Sequence, residues 1–235
     1  MNISTIILLI TCCILCLISL FIKPTMKCSD KKIYINPNNK INKLMVVAHP
    51  DDESLFAGNL LLTKKGWLVV CLTGGSKRCQ WGEGSRMKPI SYRPDRAAEF
   101  HAAMKYVNAS YILYDYEDGP FGYTFPGMEE ELKKVLEKYP IKEIYTFPKD
   151  GITGHRQHKN VHNLVNKVLK NNKETFNNYY KLYHFNIGKI HTPIDRWERK
   201  KELLDLYVSQ KATIDKYRPI AKYESCDLAN RFLTY

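Results

Sequence analysis

The sequence predicts an α/β fold with a single doubly wound, mostly parallel sheet. From Leu44 onward, short runs rich in β-branched residues alternate with segments whose apolar residues recur at helical spacing. Strands that alternate with helices indicate β–α–β units, which build parallel sheets covered by helices. The chain has 235 residues, of which 44% are hydrophobic and 26% charged. This composition excludes a disordered tail and a polytopic membrane protein.

The N-terminal segment predicts a transmembrane helix. Residues 3–22 are almost entirely apolar and, as a helix, would be about 30 Å long, which matches a bilayer core. A cleaved signal peptide is the alternative, but no basic residue precedes the run and no cleavage pattern follows it. We therefore predict an anchor at residues 1–22, a basic linker at 23–43 and a globular domain at 44–235.

The distribution of charge predicts the orientation of this helix. The net charge is +12, and residues 23–43 contain six lysines against Asp30 alone. Cytoplasmic flanks of membrane helices carry excess Lys and Arg, so the domain is predicted to be cytosolic, at the endoplasmic reticulum membrane in a eukaryote. The charge alone also suits a nucleic-acid partner, but no recognition motif supports one. The seven cysteines are unpaired in spacing, which excludes a disulfide scaffold.

Five strands and five helices are predicted within the domain. The strands are at residues 44–48, 67–73, 111–115, 142–147 and 179–185. The helices are at residues 54–65, 94–106 and 129–138, around 161–169, and from a cap at Thr192 and Pro193 to Tyr207.

Two polar segments follow predicted strands at the edge of the sheet where ligands bind. Residues 49–53 (HPDDE) follow the first strand, and residues 154–158 (GHRQH) follow the fourth. A non-catalytic explanation is that Asp51 or Asp52 caps the next helix. One acid suffices for a cap, however, and the histidines would then have no role.

These segments predict a metal site. A catalytic zinc takes three protein ligands from His, Asp and Glu and keeps one position for water, and His49, Asp52 and His158 meet that requirement. Asp51 then remains as a proton acceptor, and His155 as a group that stabilises or protonates an oxyanion. His158 and His162, four residues apart on a helix, are an alternative metal pair.

The same segments resemble those of the PIG-L/LmbE-like family, zinc-dependent enzymes that remove acetyl groups from N-acetylglucosamine conjugates. The resemblance covers about residues 44–211 and implies a Rossmann-like, LmbE-like domain. Weaker matches to family segments are found at residues 96–99, at Asp118 with Gly119, and at Lys201 with Ser209 and Gln210. Gln157 and Pro148 depart from the patterns usual in the family.

The resemblance also implies roles for individual residues. The metal ligands, for Zn²⁺ or another divalent ion, are His49, Asp52 and His158; the catalytic residues are Asp51 and His155; and the substrate-binding residues are Arg96 and Asp118. The implied function is removal of the acetyl group from N-acetylglucosaminyl-phosphatidylinositol, as in GPI-anchor biosynthesis, with a glycolipid and the membrane as partners. The alternatives are another N-acetylglucosamine conjugate as substrate, or a catalytically silent glycan- or lipid-binding module.

Overall fold

The computed structural model describes residues 31–74, 96–116, 118, 125–172, 180–188 and 194–229. The predicted anchor at residues 1–22 and the first part of the predicted linker lie outside these ranges. Within them, no helix has both the length and the apolar composition that crossing a bilayer requires.

The domain is built on one seven-stranded sheet. Its strands are β1 Lys31–Tyr34, β2 Lys43–Val47, β3 Trp67–Thr73, β4 Ser110–Tyr116, β5 Glu143–Thr146, β6 Lys181–Ile187 and β7 Glu224–Leu228. Their order across the sheet is β1-β4-β3-β2-β5-β6-β7. The five inner strands are parallel, whereas β1 and β7 pair antiparallel at the two edges. The predicted mostly parallel sheet is therefore confirmed.

Seven helices are present in the described residues. They are α1 Asp52–Thr63, α2 Arg96–Tyr106, α3 Met128–Lys138, the single turn α4 Gly151–Gly154, α5 Arg156–Asn171, α6 Trp197–Asp205 and α7 Lys211–Ala221. Helix α1 packs against α6 and α7, and α3 packs against α5. The predicted apolar stripe of α5 is buried, from Val161 to Leu169.

The central strands β2 and β3 are almost wholly buried because helices cover both faces of a parallel sheet. Every residue of β3 is buried, and so are the last four residues of β2. Large side chains that are almost fully buried, including Trp67, Phe100, Phe147 and Phe185, fill the layers between the sheet and its helices.

The strand order reverses beside β2. The chain runs outward from β2 through β3 to β4 and then returns to β5, on the other side of β2, before it continues to β6. Because β–α–β crossovers are right-handed, the helices before this reversal and those after it lie on opposite faces of the sheet. The reversal opens a crevice between the carboxyl ends of β2 and β5. Ligands bind in such crevices.

The predicted boundary between linker and domain is wrong by about one strand. Lys31–Tyr34 lie inside the predicted linker but form β1, which pairs with β4. This strand is short, polar and exposed, with Ile33 54% exposed, so it lacks the apolar pattern by which buried strands are recognised. Neither α7 nor β7 was predicted from the sequence.

The last predicted helix differs from the observed one. Its proposed cap, Thr192 and Pro193, lies outside the described residues, and α6 begins at Trp197 and ends at Asp205. Two further turns follow before α7 begins at Lys211, including a 3-10 turn at Val208–Gln210.

Candidate active site

The first group of site residues comes from the turn between β2 and α1. The backbone N–H of His49 donates to Asp52 Oδ2 at 2.8 Å, and that of Asp51 donates to Glu53 Oε2 at 3.2 Å. Glu53 is itself buried and accepts hydrogen bonds from the hydroxyls of Ser54 and Tyr207. These bonds hold the turn so that its polar side chains stand at the carboxyl edge of the sheet.

Asp51 has an unusual backbone conformation. Its φ is 132° and its ψ is −27°, a region that residues with a Cβ rarely adopt. Asp51 stands at the N-cap position of α1, but its side chain makes no capping hydrogen bond. Helix capping therefore does not explain its carboxyl group. A strained residue held in place by its surroundings is common at functional sites.

The second group of site residues comes from the segment after β5. Asp150 caps the single-turn helix α4 by accepting a hydrogen bond from the N–H of Ile152. His155 stands between α4 and α5, and His158 lies in the first turn of α5. The ring of His158 stacks on Phe147 with centroids 4.0 Å apart, which fixes its plane.

His49, Asp52 and His158 meet across the crevice. Nδ1 of His49 lies 3.2 Å from Asp52 Oδ2, and Nε2 of His158 lies 3.2 Å from Asp52 Oδ1. The two nitrogens are 3.3 Å apart. A tetrahedral zinc ion with ligands at about 2.0–2.1 Å separates its donor atoms by about 3.3–3.4 Å. The two histidine nitrogens therefore have the spacing of two ligands of one such ion, and the Asp52 carboxylate places one oxygen beside each of them.

The remaining ring nitrogens orient the two imidazoles. Nε2 of His49 lies 2.9 Å from Gln157 Oε1, and Nδ1 of His158 lies 3.0 Å from the carbonyl oxygen of Gly151. Both oxygens only accept, so these nitrogens carry protons. The nitrogens that face Asp52 are then the ones available to a metal, as is usual for metal-binding histidines. The donor set thus fits a divalent ion.

His155 stands at the rim of this cluster. Its ring centroid lies 4.8 Å from that of His49 and 4.8 Å from that of His158, and the ligand atoms of the three histidines lie within 4.8 Å of one another. His155 is therefore a further candidate ligand. Burial, together with charge on His49 and His158, lowers the pKa of His155 to about 4. The ring is neutral near pH 7 and acts as a hydrogen-bond donor or ligand rather than as a cation.

Burial and charge also shift the pKa values of the central residues. Burial opposes a charge on His49, but Asp52, Asp118 and Gln157 together outweigh it and raise the pKa of His49 to about 9. Burial opposes a charge on Asp52 as well, but His158 and His49 hold its pKa well below its usual range. Burial and the charge of Asp52 raise the pKa of Asp51 well above its usual range. Asp52 is therefore ionised and attracts positive charge, either from protons on the two histidines or from a divalent ion.

The structure brings Arg96 and Asp118 together with Asp51. Arg96 Nη1 lies 2.8 Å from Asp118 Oδ2, and its Nη2 donates to the carbonyl oxygen of Pro50 at 2.9 Å and lies 3.5 Å from Asp51 Oδ2. The guanidinium is nearly buried, so carboxylates neutralise it within the protein. A substrate phosphate would have to compete with them. Arg96 therefore holds in place the turn that carries Asp51, and this role does not depend on a contact with substrate.

A cavity of about 350 Å³ opens over these residues. One wall consists of the polar site residues together with Leu55 and Phe56 of α1. A second wall comes from Gln210 and from Thr213, Lys216 and Tyr217 of α7. Every residue to which the sequence assigned a role, namely His49, Asp51, Asp52, Arg96, Asp118, His155 and His158, lines this one cavity.

Two parts of the site were missed in the sequence. Gln157 is buried and contacts His49, but its only sequence signal was an unusual residue type within the second motif. Helix α7 supplies a wall of the cavity but carries no chemical motif.

Two residues that the sequence singled out lie away from the cavity. Lys201 is partly exposed and pairs with Glu198 at 2.7 Å, whereas the neighbouring Lys200 is buried. His162 accompanies His184 away from the cavity, so the alternative metal pair of His158 and His162 does not form.

The fold and the site together define a class of α/β protein with a cluster of histidines and carboxylates, able to hold a metal, at a topological switch point. Within that class the chain belongs to the PIG-L family: the family model described as GlcNAc-PI de-N-acetylase matches residues 44–169, more than half of the chain. The family resemblance found in the sequence is thereby confirmed. The family is one of metal-dependent deacetylases that act on N-acetylglucosamine conjugates.

One relative and several solved structures are similar to this chain. The uncharacterized protein L374 of Acanthamoeba polyphaga mimivirus is 33% identical over 153 residues, which cover 62% of this chain and 64% of that protein. The chain thus spans less than two thirds of that relative. The N,N'-diacetylchitobiose deacetylase from Pyrococcus horikoshii has a TM-score of 0.55 at 14% identity, covering 83% of this chain and 88% of that one.

A further neighbour carries out a different reaction. GalB, the 4-carboxy-2-hydroxymuconate hydratase from Pseudomonas putida KT2440, has a TM-score of 0.54 at 18% identity and covers 83% of this chain and 99% of that one. Such low identities establish the fold alone. Because one fold hosts both deacetylation and hydration, the activity of this chain has to be inferred from its site.

Proposed function

We propose that this protein is a zinc-dependent hydrolase that removes the acetyl group from an N-acetylglucosamine conjugate, and that the conjugate is N-acetylglucosaminyl-phosphatidylinositol. The observation that carries the proposal is the convergence of His49, Asp52 and His158, with Asp51 and His155 beside them, on one cavity in a member of the PIG-L family. A module that only binds its ligand needs neither three side chains placed to hold a metal nor a further carboxyl group, that of Asp51, beside them.

Each side chain has a chemical role that its position supports. Zinc held by His49, Asp52 and His158 would supply Lewis acidity and lower the pKa of a water molecule. Asp51 lines the cavity. Ionised beside a bound divalent cation, it would accept the proton of the attacking water and then pass it to the leaving amine. His155 donates a hydrogen bond from the rim to the oxyanion of the tetrahedral intermediate. The C–N bond of the amide breaks, and acetate and a free amine leave.

The size of the cavity favours a sugar conjugate whose aglycone, the group attached to the sugar, extends outside the cavity. Its volume of about 350 Å³ lies at the small end of the range for small-molecule sites, about 300–1,000 Å³. One sugar fits there, whereas a whole glycolipid does not. The rest of the substrate would extend out of the cavity, and α7 forms part of the cavity wall. Lys216 on that wall has no carboxylate within ion-pair distance among the described residues and is available to a phosphate.

The first strand supports a substrate held at a membrane. Because β1 runs antiparallel to β4, with Lys31 opposite Tyr114 and Tyr34 opposite Tyr111, the chain enters the sheet at the carboxyl edge, where the cavity lies. Three strand spacings separate β1 from β2, about 14 Å. An anchor at residues 1–22 would therefore hold the domain with its cavity close to the lipid surface, on the cytosolic side that the flanking lysines predict.

Acetate release from a panel of substrates tests the proposed activity. The full chain is loaded with zinc in detergent and assayed with N-acetylglucosaminyl-phosphatidylinositol, N-acetylglucosamine and diacetylchitobiose, with Asp51→Asn as the matched inactive variant. Release from the glycolipid alone supports the proposal. Release from a soluble sugar alone means a different conjugate, and no release by the zinc-loaded protein means a binding module.

Glycosylation and protease access test the proposed topology. In sealed microsomes, a cytosolic domain is digested by added protease, and the exposed Asn108 of the sequon Asn108-Ala109-Ser110 stays unglycosylated. A glycan on Asn108, or cleavage after residue 22, would show instead that the segment is a signal peptide.

A further inference from the structure

Helix α1 is interrupted at Ala57, directly beneath the site. Ala57 has φ −146° and ψ 21°, which is not helical, so the helix divides into a first half that starts at Asp52 and a second half that ends at Thr63. Side chains bind main-chain groups on either side of the break. Lys200 Nζ donates to the carbonyl oxygen of Leu55 at 2.8 Å, and Glu224 Oε1 accepts from the N–H of Leu60 at 3.0 Å.

Lys200 and Glu224 form a buried ion pair within this break. The ammonium of Lys200 is fully buried and has three partners, namely the carbonyl oxygens of Leu55 and Ala221, each at 2.8 Å, and the Glu224 carboxylate. All three of its N–H donors are thus engaged. The stem of Lys200 passes so close to Gly58 that a Cβ there would meet its Cε at 3.0 Å. Few lysines are buried to this degree, and those that are need such partners.

The partners of Lys200 belong to the two walls of the cavity. Leu55 lies one turn after Asp52 on the first half of α1, and its side chain lines the cavity. Ala221 ends α7, the helix that carries Lys216 and Tyr217 on the second wall. One ammonium group therefore joins the helix that carries the metal-site carboxylate to α7.

We propose that Lys200 is a positioning residue, which sets where the Asp52-bearing half of α1 stands relative to α7. Through Leu55 it holds the Asp52 carboxylate at its spacing from His49 and His158, and through Ala221 it holds the substrate wall. The inference rests on the proposed metal site. It assigns a functional consequence to an ion pair that touches neither metal nor substrate.

Zinc affinity and KM test this role. In Lys200→Met combined with Glu224→Gln, the buried charges are removed but an acceptor for the Leu60 N–H remains, which favours folding. We expect the dissociation constant for zinc, measured by chelator competition, to rise about 10–100-fold, as it does when groups behind metal ligands are lost. KM should rise as well. Lys201→Met, the neighbouring exposed lysine, is the matched control and should change neither value.

A second variant perturbs the same contact without a change of charge. Gly58→Ala places a methyl group against the stem of Lys200 in a helix that otherwise favours alanine. We expect a weaker zinc affinity in this variant also. A purely structural role would lower the melting temperature of these variants and leave zinc affinity and KM of the folded protein unchanged, and that result overturns the inference alone. Wild-type protein that binds no zinc overturns the metal site and the inference together.

Discussion

His49 and Gln157 meet across the switch point of the sheet, with Nε2 of the imidazole 2.9 Å from Oε1 of the amide. His49 follows β2 and Gln157 lies in the first turn of α5, so one hydrogen bond joins the two segments that build the site. Both side chains are buried. The amide oxygen fixes the proton on Nε2 and leaves Nδ1 turned toward Asp52 and His158.

Replacement of Gln157 should weaken metal binding although Gln157 is not itself a predicted ligand. In Gln157→Leu the imidazole of His49 loses its acceptor, and we expect zinc affinity to fall about 10–100-fold, measured by competition with a chelator. Gln157→Glu keeps an oxygen acceptor at the same place and should retain more affinity than the leucine variant. Equal affinity in the leucine variant and the wild type would contradict this role.

Loss of any one of His49, Asp52 and His158 should remove bound zinc. The two histidine nitrogens lie 3.3 Å apart, and each lies 3.2 Å from one oxygen of the Asp52 carboxylate. A site that loses one of these three side chains is expected to release the ion. Metal content after dialysis of each alanine variant is the measurement. His162→Ala is the control and should keep its zinc, because His162 bonds to the carbonyl oxygen of Phe147 away from the cluster. Full occupancy in His158→Ala would show that other residues bind the metal.

Asp51→Asn should separate catalysis from metal binding. Asparagine keeps the size and polarity of the side chain but does not accept a proton, so we expect turnover to fall by about two to four orders of magnitude with zinc retained. The rate of acetate release at equal metal content is the measurement. Turnover close to wild type in zinc-loaded Asp51→Asn would assign proton transfer to another group.

Acidification should test whether β1 is part of the folded domain. Hydrogen bonds from Lys31 of β1 and Lys134 of α3 lower the pKa of Glu131 to about 2, from a usual value of 4.5. A lowered carboxyl pKa contributes stability that is complete above pH 4.5 and is lost as the pH falls from there toward 2. Glu131→Gln should therefore lose less stability over this interval than the wild type, by thermal unfolding at a series of pH values. Glu130→Gln is the control and should follow the wild type.

The parts of the fold that the sequence predicted are those with a local signal. β3 is a run of six buried apolar residues followed by Thr73, and α5 has a regular apolar stripe, so both were predicted. The edge strands β1 and β7 are short and partly exposed, and their pairing is decided by distant strands, so no local pattern marks them. Helix α7 contains Pro219 near its end and only two fully buried residues, which weakens its periodicity.

The same distinction holds at the site. His49, Asp51, Asp52 and His158 stand in two short segments at strand ends, and their chemistry is legible from residue type and spacing alone. Gln157 and Lys200 act through contacts with residues more than a hundred positions away, at His49 and Leu55. A sequence shows that such side chains exist but not what they touch, because those contacts form only when the sheet is assembled.

The left-handed backbone conformation of Asp51 lowers the stability of the fold at a residue that the proposed reaction requires. A conformation that glycine adopts freely costs a residue with a Cβ about 1–3 kcal/mol, and burial of the Asp51 carboxyl group adds to that cost. Substitution by glycine would remove both costs, so the resulting protein would be more stable but would lack its proposed proton acceptor. Selection for stability of the fold alone would therefore favour glycine at this position. An aspartate here lowers the stability of the fold and in exchange supplies the proton acceptor that the proposed reaction needs.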